Sequence, residues 1–217
     1  MEVKLLQATP FPKAVIAQAA SVCYDSIPHD RIVDHCFESG HHSVLEHAVF
    51  TFEISGVSRA LSHQLVRHRI ASFSQRSQRY CTEDGFEYIT PQSIVDEGYG
   101  PLYDELMNNI QVLYSRMVQD GVPGEDARFV LPNATTTKLS MTINLRSLMN
   151  FMGLRCCSHS QWEIRELANL MKAELLKTAH ELEPFLQPKC IHIGYCSEKK
   201  CCGLMPKKKD VIGKREA

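Results

Sequence analysis

The stretch Arg67–Tyr80, RHRIASFSQRSQRY, gathers four arginines, one histidine and four hydroxyl side chains with no aspartate or glutamate. No acid occurs between Glu53 and Glu83, a window that also holds Arg59. A helix on a free surface dilutes such repulsion with acids four residues along, so the missing counter-charge reads as room for an anionic ligand. Arginine suits phosphate, because its planar fork donates two parallel hydrogen bonds and stays protonated. Ser72, Ser74 and Ser77 add short donors, and Gln64 lies three residues before Arg67, so the two project together where a helix hands over to a loop. Charged clamps for phosphates and amides for a base suit a nucleotide. The alternatives are a solvated basic face and an RNA contact. RNA fits less well: only Phe73 and Tyr80 offer stacking, and the whole chain has a formal charge of −1.

Outward from this stretch the hydrophobic pattern predicts the elements. VKLLQAT reads as a first strand, followed by two short helices, AVIAQAASVCY and DRIVDHCFESG, the second opened by Asp30 and closed by Gly40. From His47 to Ser55, Ala48, Phe50, Phe52 and Ile54 alternate onto one face of a strand. Val57, Ala60, Leu61 and Leu65 then recur at helical spacing, so the arginine stretch is entered from a helix. A long helix is expected from Leu102 to Asp120, and a short one from Pro123 that stops at Pro132. TTTKLSMTIN reads as another strand. RSLMNFMGLRCC reads as a helix with Leu148, Met149 and Met152 as its stripe. QWEIRELANLMKAELLKTAHELEPFL reads as one longer helix burying Ile164, Leu167, Ala168, Met171, Leu175 and Leu182. Strands and helices alternate without a βαβ rhythm, which predicts an α+β fold, a mixed or antiparallel sheet flanked by helices.

At 217 residues the chain is long enough for a substantial core. We expect one α+β domain over 1–188 and a Cys- and Lys-rich extension over 189–217. No apolar run is long enough to cross a bilayer, and MEVKLLQATPFPK lacks the basic start and apolar centre of a signal peptide. A cytoplasmic protein without membrane or nucleic-acid partners is therefore expected. Nine cysteines, an odd number, then read as reduced thiols.

The arginine stretch also resembles a known motif. Arg67, His68, Arg69, Ser72, Ser77, Arg79 and Tyr80 fill every fixed place of RHRxxSxxxxSxRY, the motif of flavin-dependent thymidylate synthases. GHHSVLEHAVFTFEI, ARFVLP, NLRSLMNFMGLR and SHSQWEIRELA are similar to further segments of that family, so the likeness runs from Cys23 to about Leu182. The resemblance implies a homotetramer of α+β subunits with FAD at subunit interfaces. It implies conversion of dUMP to dTMP with methylene-tetrahydrofolate as carbon donor and NADPH as reductant, and no cysteine nucleophile.

By the same resemblance, Arg67, His68 and Arg69 face the flavin, Arg67 also nears the nucleotide, and Ser77 and Arg79 hold the nucleotide phosphate from a neighbouring subunit. Gln64 and Arg128 correspond to nucleotide contacts, and Gln75, where relatives often carry glutamate, to a residue shared by both ligands. For Arg128 alone, a salt bridge to Glu125 or Asp126 is the simpler reading. Asn144, Arg146 and Asn150 resemble flavin contacts, as do His41, Ser43 and His159, with Glu46 a weaker candidate; helix capping is the plainer role for any one of the first three. Cys23 stands where a flavin-contacting serine is usual and is left out. Arg155 is expected to be catalytic: a fixed guanidinium beside the ring carbonyl and imide stabilises negative charge developing on the pyrimidine. An arginine that merely ends its helix is the alternative.

The extension holds Cys190, His192, Cys196, Cys201 and Cys202, soft ligands within a short span. Their spacing lacks a paired CxxC knuckle, so no metal site is expected. The competing functional class is a binding module, with RNA on the arginine loop and zinc in the tail.

Overall fold

The structure is a computed structural model that describes residues 1–212. The end of the expected extension, 213–217, lies outside the described residues. Four strands, β1 (Glu2–Ala8), β2 (Val49–Ser58), β3 (Ala71–Gln75) and β4 (Thr136–Asn144), form one antiparallel sheet in the order β1-β2-β4-β3. The helices are α1 (Pro12–Tyr24), α2 (Asp30–Glu38), α3 (Arg59–Leu65), α4 (Gln92–Asp96), α5 (Gly100–Gln119), α6 (Gly124–Ala127), α7 (Leu145–Arg155), α8 (Trp162–Leu176), α9 (Lys189–Ile193) and α10 (Lys208–Ile212). This is the α+β class expected. Short 3-10 turns cover His42–His47, Arg128–Val130 and His180–Phe185.

The period-two pattern of β2 buries Phe50, Phe52 and Ile54, and that of β4 buries Leu139, Met141 and Ile143. Asp30 begins α2 but does not cap it: His29 Nδ1 accepts from the Ile32 N–H at 3.2 Å. Gly40 follows this helix with a φ of 77°, the left-handed region that glycine enters without a Cβ clash.

Two expectations fail. The segment after the RHR triplet is not all loop, since Ala71–Gln75 is the edge strand β3, whose register against β4 continues through the Arg76 N–H to the Lys138 carbonyl at 2.9 Å. With three serine or glutamine positions in five and no buried side chain, β3 carries little hydrophobic signal. The single long helix expected from Gln161 ends at Leu176. The Thr178 hydroxyl and the Ala179 N–H both turn back onto the Leu175 carbonyl, and Pro184 then lies inside a separate 3-10 turn.

Backbone contacts divide the chain into two compact units, each discontinuous in sequence. One comprises residues 1–2, 53–67 and 73–140; its core includes Val57, Leu61, Leu65, Met107 and Tyr114, and the Tyr114 hydroxyl accepts from the buried Glu83 N–H at 3.0 Å. The other comprises 3–52, 68–72 and, among the described residues, 141–212. In it α1 packs on α2, and α7 on α8 and α9, around Ile16, Val33, Phe151, Met152, Ile164, Met171 and Phe185.

Candidate nucleotide and flavin site

The expected ligand residues fall into both units. Gln64, Arg67, Gln75, Ser77, Arg79 and Arg128 belong to the first. Ser58 starts α3, its hydroxyl accepting from the Leu61 N–H, and the helix ends so that half-buried Gln64 and exposed Arg67 follow one another at its C-terminus. Gln75 turns inward: its Nε2 donates to Ser62 Oγ at 3.0 Å and to Thr137 Oγ1 at 3.3 Å. Ser62 donates in turn to the Arg59 carbonyl, so its hydroxyl can receive the Gln75 amide. Ser77 Oγ accepts from the Arg79 N–H at 3.1 Å and shapes the turn after β3.

Tertiary structure supplies much of the counter-charge missing from the sequence window. Arg76 pairs with Glu83 at 3.0 Å, and Arg79 with Glu125 at 2.9 Å. Burial pushes the Glu83 carboxyl up in pKa against the pull of Arg76 and Arg59. Among the described residues Arg128 pairs with neither the Glu125 nor the Asp126 carboxylate, the simpler reading of it alone; its Nε donates to the Glu125 carbonyl at 3.0 Å. Arg67 and Arg69 keep exposed guanidinium groups with no acidic partner among the described residues. Glu83 and Glu125 are the partners that local sequence reasoning missed, and only Glu83, the first acid after the window, carried a signal.

In the second unit the triplet's histidine is buried. His68 Nε2 accepts from Arg155 Nε at 2.9 Å, and its ring meets Phe151 edge-on, with centroids 4.9 Å apart. Burial, followed by the neighbouring Arg155 charge, lowers the His68 pKa to about 4, so the ring is a neutral acceptor at pH 7. Arg155 ends α7, and its two terminal nitrogens have no hydrogen-bond partner among the described residues. Two residues past the histidine, the chain turns at Ile70 with a φ of 65°, a conformation disfavoured for a β-branched side chain.

Asn144 caps α7, its Oδ1 accepting from the Ser147 N–H at 2.9 Å. It also lines an open groove with Glu46, Ile70, Ser72 and Thr142. Arg146 Nη1 pairs with Glu46 at 2.6 Å, and Asn150, one turn further, is exposed. His41 Nδ1 lies 2.9 Å from the Tyr24 hydroxyl, and Ser43 is exposed on the following 3-10 turn. His159 Nε2 is hydrogen-bonded to the Lys200 carbonyl, and with Arg155 it lines a cavity of about 390 Å³. The tail's cysteines and His192 do not assemble a metal set: among the described residues no three His, Cys, Asp or Glu come together to hold an ion.

Comparisons with known proteins agree on one family. Residues 4–180 match the family described as thymidylate synthase complementing protein. The chain is 46% identical to the flavin-dependent thymidylate synthase of Geobacter sulfurreducens over 91% of both chains. It is 41% identical to that of Pyrococcus abyssi over 95% of this chain and 92% of the relative. Its fold is similar to a crystal structure of Thymidylate Synthase X (ThyX) from Helicobacter pylori with FAD and dUMP, at a TM-score of 0.69 and 27% identity, covering 86% of this chain and 99% of that one. By motif, sequence and fold, the chain belongs to the thymidylate synthase complementing protein family, that of the flavin-dependent thymidylate synthases.

Proposed function

We infer that the chain carries out the reaction of its family, reductive methylation of dUMP to dTMP, with methylene-tetrahydrofolate as carbon donor, NADPH as reductant and FAD as cofactor. The observation that carries the catalytic assignment is the His68–Arg155 hydrogen bond. A neutral imidazole holds Arg155 by Nε alone, which leaves the terminal fork free to meet a pyrimidine carbonyl and imide. As carbon five of the uracil attacks, negative charge spreads over the ring, and a guanidinium already aimed there stabilises it without reorganising. His68 accordingly positions Arg155 as well as standing in the flavin-facing triplet.

Arg67 and Arg69, with no acidic partner among the described residues, fit a cofactor that brings a diphosphate, and Asn144, Arg146, Asn150, His41, Ser43, Gln75 and His159 complete the flavin assignment. Bound FAD supplies hydride transfer from NADPH. Gln64, Arg67, Gln75, Ser77, Arg79 and Arg128 are assigned to dUMP, the loop serving the nucleotide of a neighbouring subunit. No cysteine is needed as nucleophile. Cys156, next in sequence to Arg155, is held above the ordinary thiol pKa by burial, which disfavours the thiolate. A cytoplasmic homotetramer is the expected assembly. Exposed Tyr99, Leu102, Leu106 and Leu113 on and before α5 support a subunit contact there, and among the described residues no helix is long and apolar enough to cross a membrane.

The test is thymidylate formation with dUMP, methylene-tetrahydrofolate, NADPH and FAD, each omitted in turn. Product is expected only with all four present, from a protein that purifies yellow and is stripped of its flavin for the FAD omission. Protein that cannot be loaded with FAD, or product formed without it, would overturn the reading.

A further inference from the structure

The Gln75 amide rests against two buried hydroxyls, those of Ser62 and Thr137, 1% and 7% exposed. Ser62 lies on α3, Thr137 on β4 and Gln75 at the end of β3, all in the first unit. The Ser62 hydroxyl gives its single proton to the Arg59 carbonyl at 2.9 Å, so toward Gln75 it can only accept. This fixes which end of the amide faces inward. Gln75 Nε2 donates to Ser62 Oγ at 3.0 Å and to Thr137 Oγ1 at 3.3 Å, which commits both of its N–H bonds. Turning the amide over would set its oxygen against the Ser62 lone pairs unless Ser62 gave up the Arg59 carbonyl. Oε1 is therefore held on the outer side. It has no hydrogen-bond partner among the described residues, and it is open to solvent: the buried side-chain oxygen left unpaired among them is Thr135 Oγ1. Position 75 thus presents an acceptor to a ligand and no donor. The arginines assigned to the nucleotide in this unit, Arg67, Arg79 and Arg128, work the opposite way, with donors only, which suit phosphate oxygens. An acceptor needs a donor, and away from its phosphate dUMP offers the uracil N3–H and the ribose 3′-hydroxyl. The reading above gives the imide to Arg155. The 3′-hydroxyl remains.

We propose that Ser62 and Thr137 are positioning residues that hold Gln75 as an acceptor for the 3′-hydroxyl of the nucleotide, and that this contact selects a free deoxynucleotide over one whose 3′-oxygen is missing or esterified. The orientation of the amide stands on the hydrogen bonds to Ser62, Thr137 and the Arg59 carbonyl alone, and the choice of ligand rests on the reaction inferred above. A nucleotide without the hydroxyl leaves Oε1 facing a carbon, with no donor to replace the water it gave up. A 3′-phosphate sets a negatively charged acceptor against Oε1, so deoxyuridine within a DNA strand is refused by repulsion as well as by the lost hydrogen bond. Ser62 and Thr137 touch no ligand in this scheme; they decide what Gln75 can read.

The test compares binding of dUMP and of 2′,3′-dideoxyuridine 5′-monophosphate to the FAD-loaded, full-length protein by titration calorimetry. The wild type is expected to bind dUMP about tenfold more tightly, the worth of one hydrogen bond. Gln75→Met keeps the length of the side chain without its oxygen and is expected to bring the two affinities together. Gln75→Glu, which still presents an oxygen, is expected to keep them apart. Thr137→Val releases one N–H and should narrow the difference about threefold, with Thr137→Ser restoring it. A defect of folding alone lowers both affinities and leaves their ratio where it was. Equal binding of the two nucleotides by the wild type would overturn the proposal, as would an unchanged ratio in Gln75→Met. Loss of FAD with the ratio kept in Gln75→Met would also overturn it, by giving the acceptor to the flavin. Side-chain amide exchange, measured by NMR without nucleotide, decides the positioning separately: both Gln75 N–H signals are expected to exchange slowly in the wild type and about tenfold faster in Ser62→Ala. Fast exchange of both in the wild type would end the role of Ser62 and Thr137. Absence of any dUMP binding would sink the reaction assignment too, whereas tight dUMP binding with no preference over the dideoxy analogue sinks this proposal alone.

Discussion

The two units use arginine in opposite ways. In the unit holding the turn after β3, Arg79 meets Glu125 with both side chains 51% exposed. An exposed pair of this kind contributes about 0.2–1 kcal/mol, so a phosphate offering two charge-assisted hydrogen bonds can displace the carboxylate at small cost. In the unit built on α7 and α8, Arg155 is half-buried and meets no carboxylate among the described residues; its partner is a neutral histidine. A neutral acceptor fixes orientation without cancelling charge, as the electrostatic role proposed for Arg155 requires. The carboxylate partner makes one arginine exchangeable, and the imidazole partner makes the other permanently poised.

Removing Arg155 tests the contrast most severely. Arg155→Ala is expected to lower dTMP formation by about 10²–10³-fold while the bound-flavin absorbance stays intact. Near-normal turnover would end the distinction. His68→Phe keeps a ring against Phe151 but deletes the acceptor, and should cost roughly tenfold in kcat with KM for dUMP little changed, the sign of a misaimed rather than a missing group. Arg79→Ala, by contrast, should raise KM for dUMP several-fold and leave kcat nearly as it is. Glu125→Gln, which releases Arg79 from its carboxylate, should lower that KM slightly; urea unfolding should show at most about 1 kcal/mol of lost stability. If Glu125→Gln weakens dUMP binding instead, the carboxylate is no displaceable placeholder.

The buried histidine also gives a pH dependence. His68 titrates near 4 when folded and near its ordinary 6.5 when unfolded. Above 6.5 neither state holds the proton and the contribution of His68 to stability is complete. As pH falls from 6.5 towards 4, the unfolded chain binds a proton that the folded chain refuses, so stability declines, and it levels off below about 4. Urea midpoints at pH 7 and pH 5 should therefore differ more in the wild type than in His68→Asn. A comparably small effect is expected at Gln75→Glu. A carboxylate there cannot donate to Ser62 Oγ, so Ser62 must leave the Arg59 carbonyl or lose a partner, costing about 1 kcal/mol.

Much of this was legible in residue order. The alternation in β2 and β4 and the apolar stripe of α8 follow from local period, which burial on one face imposes directly. β3 was not legible, because an edge strand of small polar residues owes its conformation to the partner strand. Nor was the break after Leu176, where apolar spacing continues across residues that turn their hydrogen bonds back. Within the candidate site, the sequence singled out Arg67, Arg69 and Arg155 but gave no hint that His68 would hold Arg155 from 87 positions away. It presented Arg76 and Arg79 as unneutralised, because Glu83 and Glu125 sit outside the window that local reasoning can search.

The sequence by itself determined the α+β class, the family motif and the kinds of side chain offered to phosphate and flavin, because these are written in neighbouring residues and short periods. Tertiary structure alone decided which arginines meet a carboxylate and which histidine is buried against Arg155 as a neutral acceptor. Those properties depend on burial and on through-space distances of a few ångströms, and sequence separation does not encode either.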